Sequence, residues 1–392
     1  MFAPFRGLLF DPAVVGDVAA ATSPPYDVIA PGERRALAEQ SPYNVVRLLL
    51  PDEGAGQYQA AGALFSSWRS GGALRPDPIP QYYLYEMEWQ SEGTPHLARG
   101  VVGSLVVEPL GSRILPHEAT MAGTRADRYA VMESMMANLD PIVALSASPR
   151  LGALLETDGL ARVKVTAGSV THRLSDITDE ARIAQIAREV AAHAVSIADG
   201  HHRYTTALAF AGDRGGGGWD AIMAVVAPAQ GSGLTVAPYH RFLEDTLFDP
   251  EAVADAFFVE SAAPRGPQEP GTLVVVANGL AWLLTPRTKA LAGLADPLRV
   301  ASAAVARDVL YPLLGVDETA ARYSPNAADV IARAADGGTG VLVAAVTEHA
   351  IAAASEAGIR FPQKTTYFTP KPRAGLVIRA FDVADDQPER RP

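Results

Sequence analysis

Apolar and polar positions alternate along this chain in short blocks, and the period of each block predicts its secondary structure. Residues 57–70 place apolar side chains at helical spacing and are followed by two glycines, which is typical of a helix and its C-terminal end. The segments 81–90 and 99–110 are rich in β-branched and aromatic residues. We therefore expect two strands of a hairpin-like pair, separated by the polar segment 91–98.

The middle of the chain continues as alternating helices and strands, which is the pattern of an α/β protein. Amphipathic spacing indicates the helices and short apolar runs indicate the strands. We expect helices over 125–138, 179–193 and 201–213, and strands over 137–148, 194–198 and 220–229.

A second α/β unit follows from about residue 245, with a helix, two strands, a long helix near 299–314, a further helix, a strand and a last helix. Proline residues at both ends of the chain favour extended segments before them. We divide the chain into an N-terminal part (1–240), a C-terminal α/β lobe (241–384) and a disordered tail (385–392).

Composition excludes several classes of function. The net charge of −11 argues against a protein that binds nucleic acid through its phosphates. With no cysteine, the chain cannot form a disulfide, a thiolate nucleophile or a cysteine-bound zinc site. No run reaches 18 apolar residues, and the first residues lack the pattern of a secretory signal. We expect a cytoplasmic protein with neither a nucleic acid nor a membrane as partner.

The segment SIADGHHRYTTAL (196–208) contains the largest cluster of candidate functional residues. Asp199 ends a strand, Gly200 allows a tight turn, and His201, His202 and Arg203 fall in the first turn of a helix. The amide groups and the dipole of that turn attract anions, and an arginine adds a bidentate donor for phosphate. The alternative is that Asp199 caps the helix while the histidines pack or face solvent.

A second group of candidates lies in LPHEAT, where His117 and Glu118 follow an apolar strand. A carboxylate held in such a loop is suited to act as a general base. The alternative is a solvated Glu118 with His117 packed beside the preceding proline.

Further candidates carry positive charge or a hydroxyl. In PQKTTYF, Lys364 and Thr366 offer an ammonium and a hydroxyl to a small anion or a substrate carboxylate. His240 and Arg241 end a strand, and Arg128 begins a helix, so we count them as further site candidates. The alternatives are a solvated lysine on an edge strand, a surface pair and a helix-start ion pair, respectively.

Several segments, in chain order, resemble a widespread bacterial family that is a domain of unknown function: PFRGL, PPYDVI, SPYNVVRL, LPHEAT, ANLDPI, IADGHHRY and PQKTTYF. Three of them, PHE, DGHHR and a PKTT-like block, also resemble the archaeal free-serine kinases of the ParB/sulfiredoxin-like superfamily, which convert L-serine to O-phosphoserine. This chain differs from those kinases in reading PQKTT for PKTT and in its long N-terminal lobe.

The resemblance implies an α/β fold in which residues 1–240 form an N-terminal lobe plus a ParB/sulfiredoxin-like nucleotide-binding core. It implies that the C-terminal α/β lobe, residues 241–384, closes over the substrate. It also implies ATP or ADP as phosphoryl donor, Mg²⁺ as cofactor and L-serine as the first choice of substrate. It assigns phosphate binding to Gly200, His201, His202 and Arg203, the general base to Glu118, assistance or Mg²⁺ binding to Asp199, and amino-acid binding to Lys364 and Thr366.

Two other functions are compatible with the same residues. One is a metal-dependent hydrolase with ligands from His117, Glu118, Asp199, His201 and His202, although their spacing does not match His-Glu-x-x-His. The other is a nucleotide-sensing binding module that uses the phosphate pocket without turnover. Phosphoryl transfer to an alcohol needs positioning, charge neutralisation and a base, and the chain offers a candidate for each.

Overall fold

The computed structural model describes residues 2–30, 32–91, 93–119, 124–156 and 160–383, so the predicted tail lies outside the described residues. The chain divides into two units, each assembled from separate stretches. Unit 1 contains Met1–Ile114, Met121–Leu234 and Pro370–Pro392, and unit 2 contains Leu115–Thr120 and Thr235–Thr369. The predicted domains 1–240 and 241–384 are continuous stretches and stay a prediction.

The strands of the chain fall into two series. The first is β1 (Phe2–Ala3), β2 (Leu8–Phe10), β3 (Leu74–Pro76), β4 (Tyr82–Ser91), β5 (Thr94–Val106), β6 (Ile114–Pro116), β7 (Ala137–Asn138), β8 (Ile142–Ser146), β9 (Val163–Ala167), β10 (Val170–Ile177), β11 (Val195–Asp199) and β12 (Ala221–Pro228). The second is β13 (Thr235–Pro238), β14 (His240–Leu243), β15 (Phe257–Ser261), β16 (Leu273–Ala277), β17 (Leu280–Pro286), β18 (Ala321–Ser324), β19 (Thr339–Val343), β20 (Thr366–Thr369) and β21 (Arg379–Ala380).

The helices are mostly short. They are α1 (Pro12–Val15), α2 (Val18–Ala21), α3 (Glu33–Gln40), α4 (Val46–Leu49), α5 (Gln57–Ser70), α6 (Thr124–Met135), α7 (Leu151–Leu154), α8 (Glu180–Ala192), α9 (His201–Arg214), α10 (Asp296–Arg299), α11 (Ser302–Val305), α12 (Tyr311–Leu313), α13 (Ala327–Ala335) and α14 (Glu348–Glu356). Single turns of 3₁₀ helix cover Tyr26–Val28, Gly218–Asp220, Thr288–Leu291 and Glu318–Ala320, and a π-helical turn covers Ala306–Leu310.

Unit 1 is built on a large mixed sheet with the order β11-β8-β12-β5-β4-β10-β9, and β1 pairs with β5. Strand β12 runs parallel to β8 and antiparallel to β5. The predicted hairpin is confirmed as β4 and β5, whose pairing extends to Ser91 opposite Thr94. Most of the predicted loop 91–98 is therefore strand, because the exposed end of a long hairpin tolerates polar residues and loses the apolar signal.

Helix α9 packs against this sheet through one buried face. Tyr204, Ala207 and Phe210 follow one another at three-residue spacing and join the core that also contains Ile142 of β8. The hydroxyl of Tyr204 donates to the carbonyl of Glu108 at 2.8 Å and accepts from its amide at 2.9 Å. These contacts fix the helix whose first turn carries the candidate anion site.

Unit 2 contains an antiparallel sheet with the order β15-β17-β16-β19-β14-β18 and the separate pair β13 and β20. Alternate residues of β16 point to opposite faces: Val274 and Val276 join the core of α13, and Val275 joins the core around Leu310. Helical segments therefore cover both faces of this sheet.

Two predicted helices of unit 2 differ from the structure. The helix expected from residue 245 is absent, and residues 250–256 form turns bonded between residues three and four apart before β15. The long helix expected near 299–314 is divided among α10, α11, the π-helical turn and α12. Pro250 and Pro312 lie in these segments and remove backbone donors there. Within the described residues, no helix is both long and apolar enough to cross a membrane.

Candidate functional site

The glycine turn before α9 has the predicted order of strand, turn and helix. Gly200 adopts a left-handed conformation with φ 91°, between the end of β11 and the start of α9. A Cβ atom at this position would lie 2.7 Å from Cγ2 of Ile142 and 3.0 Å from Nε of Arg203. Both the backbone angle and the lack of space therefore require glycine. The N-cap position is Gly200 itself, which has no side chain to cap the helix.

Arg203 is the centre of a buried ion-pair network. Its Nη2 donates to Oδ2 of Asp199 at 2.7 Å, and its Nη1 donates at 2.6 Å both to Oδ2 of Asp140 and to the carbonyl of Pro141. Lys371 bonds the other oxygen of Asp199. The terminal nitrogens of the predicted phosphate-binding arginine are thus engaged by protein groups. Its third donor, Nε, is buried and has no hydrogen-bond partner within the described part of the chain.

The network keeps its charges. Burial alone would lower the pKa of Arg203, but the carboxylates of Asp140 and Asp199 raise it above its ordinary value. Burial raises the pKa of Asp140, and the charge of Arg203 opposes that rise. The guanidinium is therefore cationic at any physiological pH, and its two carboxylate partners compensate it.

The N-terminal segment PPYDVI contributes to the same region of unit 1. The guanidinium of Arg128 lies 4.1 Å from the centroid of the Tyr26 ring, a cation–π contact. Burial raises the pKa of Tyr26, with Asp27 adding to the rise and Arg203 and Arg128 opposing it. Arg128, a predicted site candidate, is buried and also pairs with Asp127.

Sequence reasoning did not single out Asp140, Lys371 or Tyr26 as site residues. Each nevertheless lies in a segment with a visible signal: ANLDPI, TPKPR and PPYDVI combine a charged or aromatic residue with a neighbouring proline. His201 is buried and His202 is half-buried in the first turn of α9. Their assignment to phosphate, together with that of Gly200 and Arg203, stays a prediction.

In unit 2 the structure brings together residues predicted from distant segments. Oε1 of Glu118 accepts hydrogen bonds from the amide of Thr366 at 2.6 Å and from its hydroxyl at 2.5 Å. Nε2 of His117 lies 2.8 Å from the same hydroxyl. A hydroxyl has one proton, which here points to Glu118, so His117 donates through Nε2. Glu118 is thus a buried carboxylate with one oxygen fixed by two donors.

The backbone around Glu118 is fixed as well. The amide of Phe361 donates to the carbonyl of His117 at 2.8 Å, and the amide of Ala119 donates to the carbonyl of Phe361 at 3.0 Å. This parallel bridge sets the PHE segment beside the chain that leads into PQKTT. Main-chain and side-chain contacts therefore both fix the position of the Glu118 carboxylate.

The remaining candidates of unit 2 surround Lys364. Lys364 has a left-handed backbone with φ 53°, and its Nζ lies 4.7 Å from the ring centroid of Tyr239. Arg241 is buried and donates through Nη2 to the carbonyl of Lys364 at 3.2 Å. His240 is buried in the sheet, and its Nδ1 accepts a hydrogen bond from the amide of Val343 at 3.2 Å.

The pKa of His240 leads to a prediction about acid stability. Burial and, to a lesser extent, the charge of Arg241 together lower this pKa to about 4. The unfolded histidine has a pKa of about 6.5, so the unfolded state binds a proton first as the pH falls. The stability that neutral His240 contributes is complete above pH ~6.5 and is lost progressively down to pH ~4. We expect His240→Asn, which keeps an acceptor for Val343, to reduce that loss by roughly 3 kcal/mol.

Urea unfolding at pH 7 and pH 4.5 measures this difference. His349→Asn in the exposed first turn of α14 is the matched control and should leave the pH dependence as in the wild type. Equal pH dependence in His240→Asn and wild type would show that His240 titrates normally.

The predicted Mg²⁺ site at Asp199 does not suit this structure. Both carboxylate oxygens of Asp199 bond cations, Arg203 and Lys371, which replace the positive charge that a metal would supply. Within the described residues, no three or more histidine or acidic side chains are grouped as ligands for a metal ion. The metal role of Asp199 therefore gains no support from its contacts.

Comparisons with known proteins place the chain in a family but assign no activity. Three solved structures are similar to the chain at low identity: a conserved hypothetical protein from Pyrococcus furiosus (13% identity, 69% of this chain and 94% of that one, TM-score 0.38), a free serine kinase in complex with AMP (13%, 68% and 90%, 0.37), and SbnI with a C-terminal truncation from Staphylococcus aureus (11%, 73% and 90%, 0.43). Among curated proteins, none matches the chain.

The resemblance to a bacterial family of unknown function is confirmed by a family model that matches residues 2–308. The match includes the PHE segment and the glycine turn before α9, whereas PQKTT lies beyond it. The chain therefore belongs to the family described as protein of unknown function (DUF1015).

Proposed function

We propose that this protein is a nucleotide-dependent small-molecule kinase that transfers a phosphoryl group from ATP or ADP to a hydroxyl, with free L-serine as the first choice of acceptor. The observation that carries the proposal is the left-handed Gly200 between the end of β11 and the first turn of α9, where glycine lets the backbone approach a ligand closely. Amide groups of such a turn bind phosphate oxygens, and the helix dipole favours their negative charge. A ParB/sulfiredoxin-like core is the fold that this role implies.

In this proposal the nucleotide phosphates bind at the turn formed by Gly200, His201, His202 and Arg203. Asp140 and Asp199 compensate the two terminal nitrogens of Arg203, so the amides and the histidines supply most of the attraction for phosphate. The remaining donor of Arg203, Nε, lies on the side of Gly200. Because this nitrogen is buried, Arg203 acts in the proposal mainly by shaping the turn that binds the phosphates.

Glu118 is the proposed general base. It takes the proton of the acceptor hydroxyl, whose oxygen forms a bond to the terminal phosphorus of the nucleotide while the bond from that phosphorus to the bridging oxygen breaks. Thr366 holds Oε1 of Glu118 in place, which is the positioning that phosphoryl transfer requires. Lys364 and Thr366 bind the amino acid in this proposal.

The test is phosphorus NMR of purified protein with ATP or ADP, Mg²⁺ and a panel of amino acids and hydroxy acids. We expect the signal of O-phosphoserine to appear while the signal of the nucleotide's terminal phosphate falls by an equal amount. Nucleotide binding without transfer to any acceptor would favour the nucleotide-sensing module instead. Tightly held zinc at one ion per chain, without nucleotide binding, would favour the metal-dependent hydrolase.

A further inference from the structure

The backbone of Lys364 is held in a conformation that a lysine rarely adopts. Its φ of 53° lies in the left-handed region, where the side chain of an L-residue crowds the following carbonyl. Such a conformation persists only where surrounding contacts fix it, and these positions concentrate at functional sites. The contacts that fix Lys364 therefore indicate what the turn is for.

Arg241 supplies the contact on the main chain. Its Nη2 donates to the carbonyl of Lys364 at 3.2 Å, and its Nη1 donates to the carbonyl of Tyr239. Arg241 is only 2% exposed; its guanidinium lies 5.5 Å from the centroid of the Tyr323 ring, and its charge acts on the carboxylate of Glu318. Because a buried charge is costly unless it is hydrogen-bonded, the two backbone carbonyls help to hold the guanidinium in place.

Tyr239 supplies the contact on the side chain. Nζ of Lys364 lies 4.7 Å from the centroid of its ring, and the ring of Tyr367 packs edge-on against it at 5.2 Å. Arg241 thus bonds the carbonyls of both partners of the cation–π pair. One buried side chain fixes the lysine and the aromatic ring relative to each other.

We propose that Arg241 is a positioning residue: it keeps Lys364 in its left-handed conformation, so that the ammonium over Tyr239 is presented to an anionic group of the acceptor. The identity of that anion rests on the proposed function, which makes it the carboxylate of a hydroxy amino acid. The positioning itself does not depend on turnover.

Lysine NMR tests the positioning directly. The chain has four lysines, Lys164, Lys289, Lys364 and Lys371, so ε-¹³C-lysine labelling gives four signals, which single Lys→Arg variants assign. The Tyr239 ring current should shift the Lys364 signal upfield. We expect Arg241→Met and Tyr239→Leu to move it to the position of the exposed Lys289 and to leave the Lys289 signal in place. An unchanged Lys364 signal in Arg241→Met would overturn the proposal.

The variant Lys364→Gly provides a second test, based on melting temperature, in case Arg241→Met is too unstable for NMR. Glycine adopts the left-handed conformation without cost, so Lys364→Gly should raise the melting temperature. Arg241→Met should lower the melting temperature less in the Lys364→Gly background than in the wild type, because glycine does not need the hydrogen bond from Arg241 to hold its left-handed conformation. Strictly additive shifts in melting temperature would contradict a positioning role for Arg241.

Titration of the labelled protein identifies the anion without requiring activity. L-serine should shift the Lys364 signal, whereas serinol, which lacks the carboxylate, should not. Inorganic phosphate shifting the signal in place of L-serine would identify the site as a phosphate contact. The Kd for L-serine should rise at least tenfold in Lys364→Met and in Arg241→Met. If L-serine binds in this way but no O-phosphoserine forms, the proposed function fails while the role of Arg241 stands.

Discussion

The Glu118→Gln variant is expected to lose kcat for phosphoserine formation by about 10²–10⁴-fold, the usual contribution of a general base. Glutamine retains an oxygen that can accept the hydrogen bonds of Thr366, so the local structure should persist. The amide cannot take the proton of the acceptor hydroxyl. Steady-state kinetics measures kcat, and calorimetry of nucleotide binding should give the wild-type Kd.

Glu244→Gln is the matched control for this variant. Glu244 is an exposed carboxylate of the same unit and should tolerate the change with unaltered kcat. Wild-type turnover in Glu118→Gln would remove Glu118 from the mechanism. A Glu118→Gln protein with lost nucleotide binding would instead place this carboxylate in the donor site.

The Arg203→Ala variant should lose about 3–5 kcal/mol of the free energy of unfolding, because it leaves two buried carboxylates without their main cationic partner. Asp140 and Asp199 both lie within 3 Å of the guanidinium and are almost entirely buried. Lys371 still pairs with Asp199 in this variant, so Asp140 is the carboxylate that loses most of its charge compensation. Urea unfolding followed by circular dichroism measures the loss.

The same variant should depend on pH in a defined direction. Burial raises the pKa of Asp140, and without Arg203 this pKa rises further above its unfolded value of about 3.9. A carboxyl with a raised folded pKa contributes stability that is lost as the pH rises. The deficit of Arg203→Ala should therefore be smaller at pH 5 than at pH 8.

Arg203→Lys serves as the comparison, since it keeps the charge and gives up the bidentate geometry. It should be less destabilised than the alanine variant and should still weaken nucleotide binding. A loss of less than 1 kcal/mol in Arg203→Ala would mean that the buried network does not stabilise unit 1.

Much of the architecture could be predicted from local sequence patterns. The strand, glycine turn and helix at 195–214 follow from an apolar run, an Asp-Gly pair and helical spacing, and the structure has all three. The hairpin of β4 and β5 follows from its β-branched and aromatic residues. These features depend on residues only a few positions apart in the sequence, and hydrophobic periodicity is read over the same short distances.

Contacts between distant segments could not be predicted in this way. Glu118 meets Thr366 across 248 positions, and Lys371 meets Asp199 across 172 positions. No periodic pattern links such residues, although each was visible as a polar or charged group beside a proline or a strand. The left-handed turn at Lys364 also gave no signal, because lysine does not indicate a positive φ.

The divided course of unit 1 has a consequence for synthesis on the ribosome. Domains near the N-terminus usually fold first, as soon as they emerge. Here the first unit still lacks Lys371, the Arg373 that bonds Thr22, and strand β21 until translation has passed residue 369. Unit 2 needs nothing beyond residue 369. The inserted unit is therefore complete before the unit that begins the chain. This reverses the usual vectorial order and leaves the glycine turn before α9 among the last parts to mature.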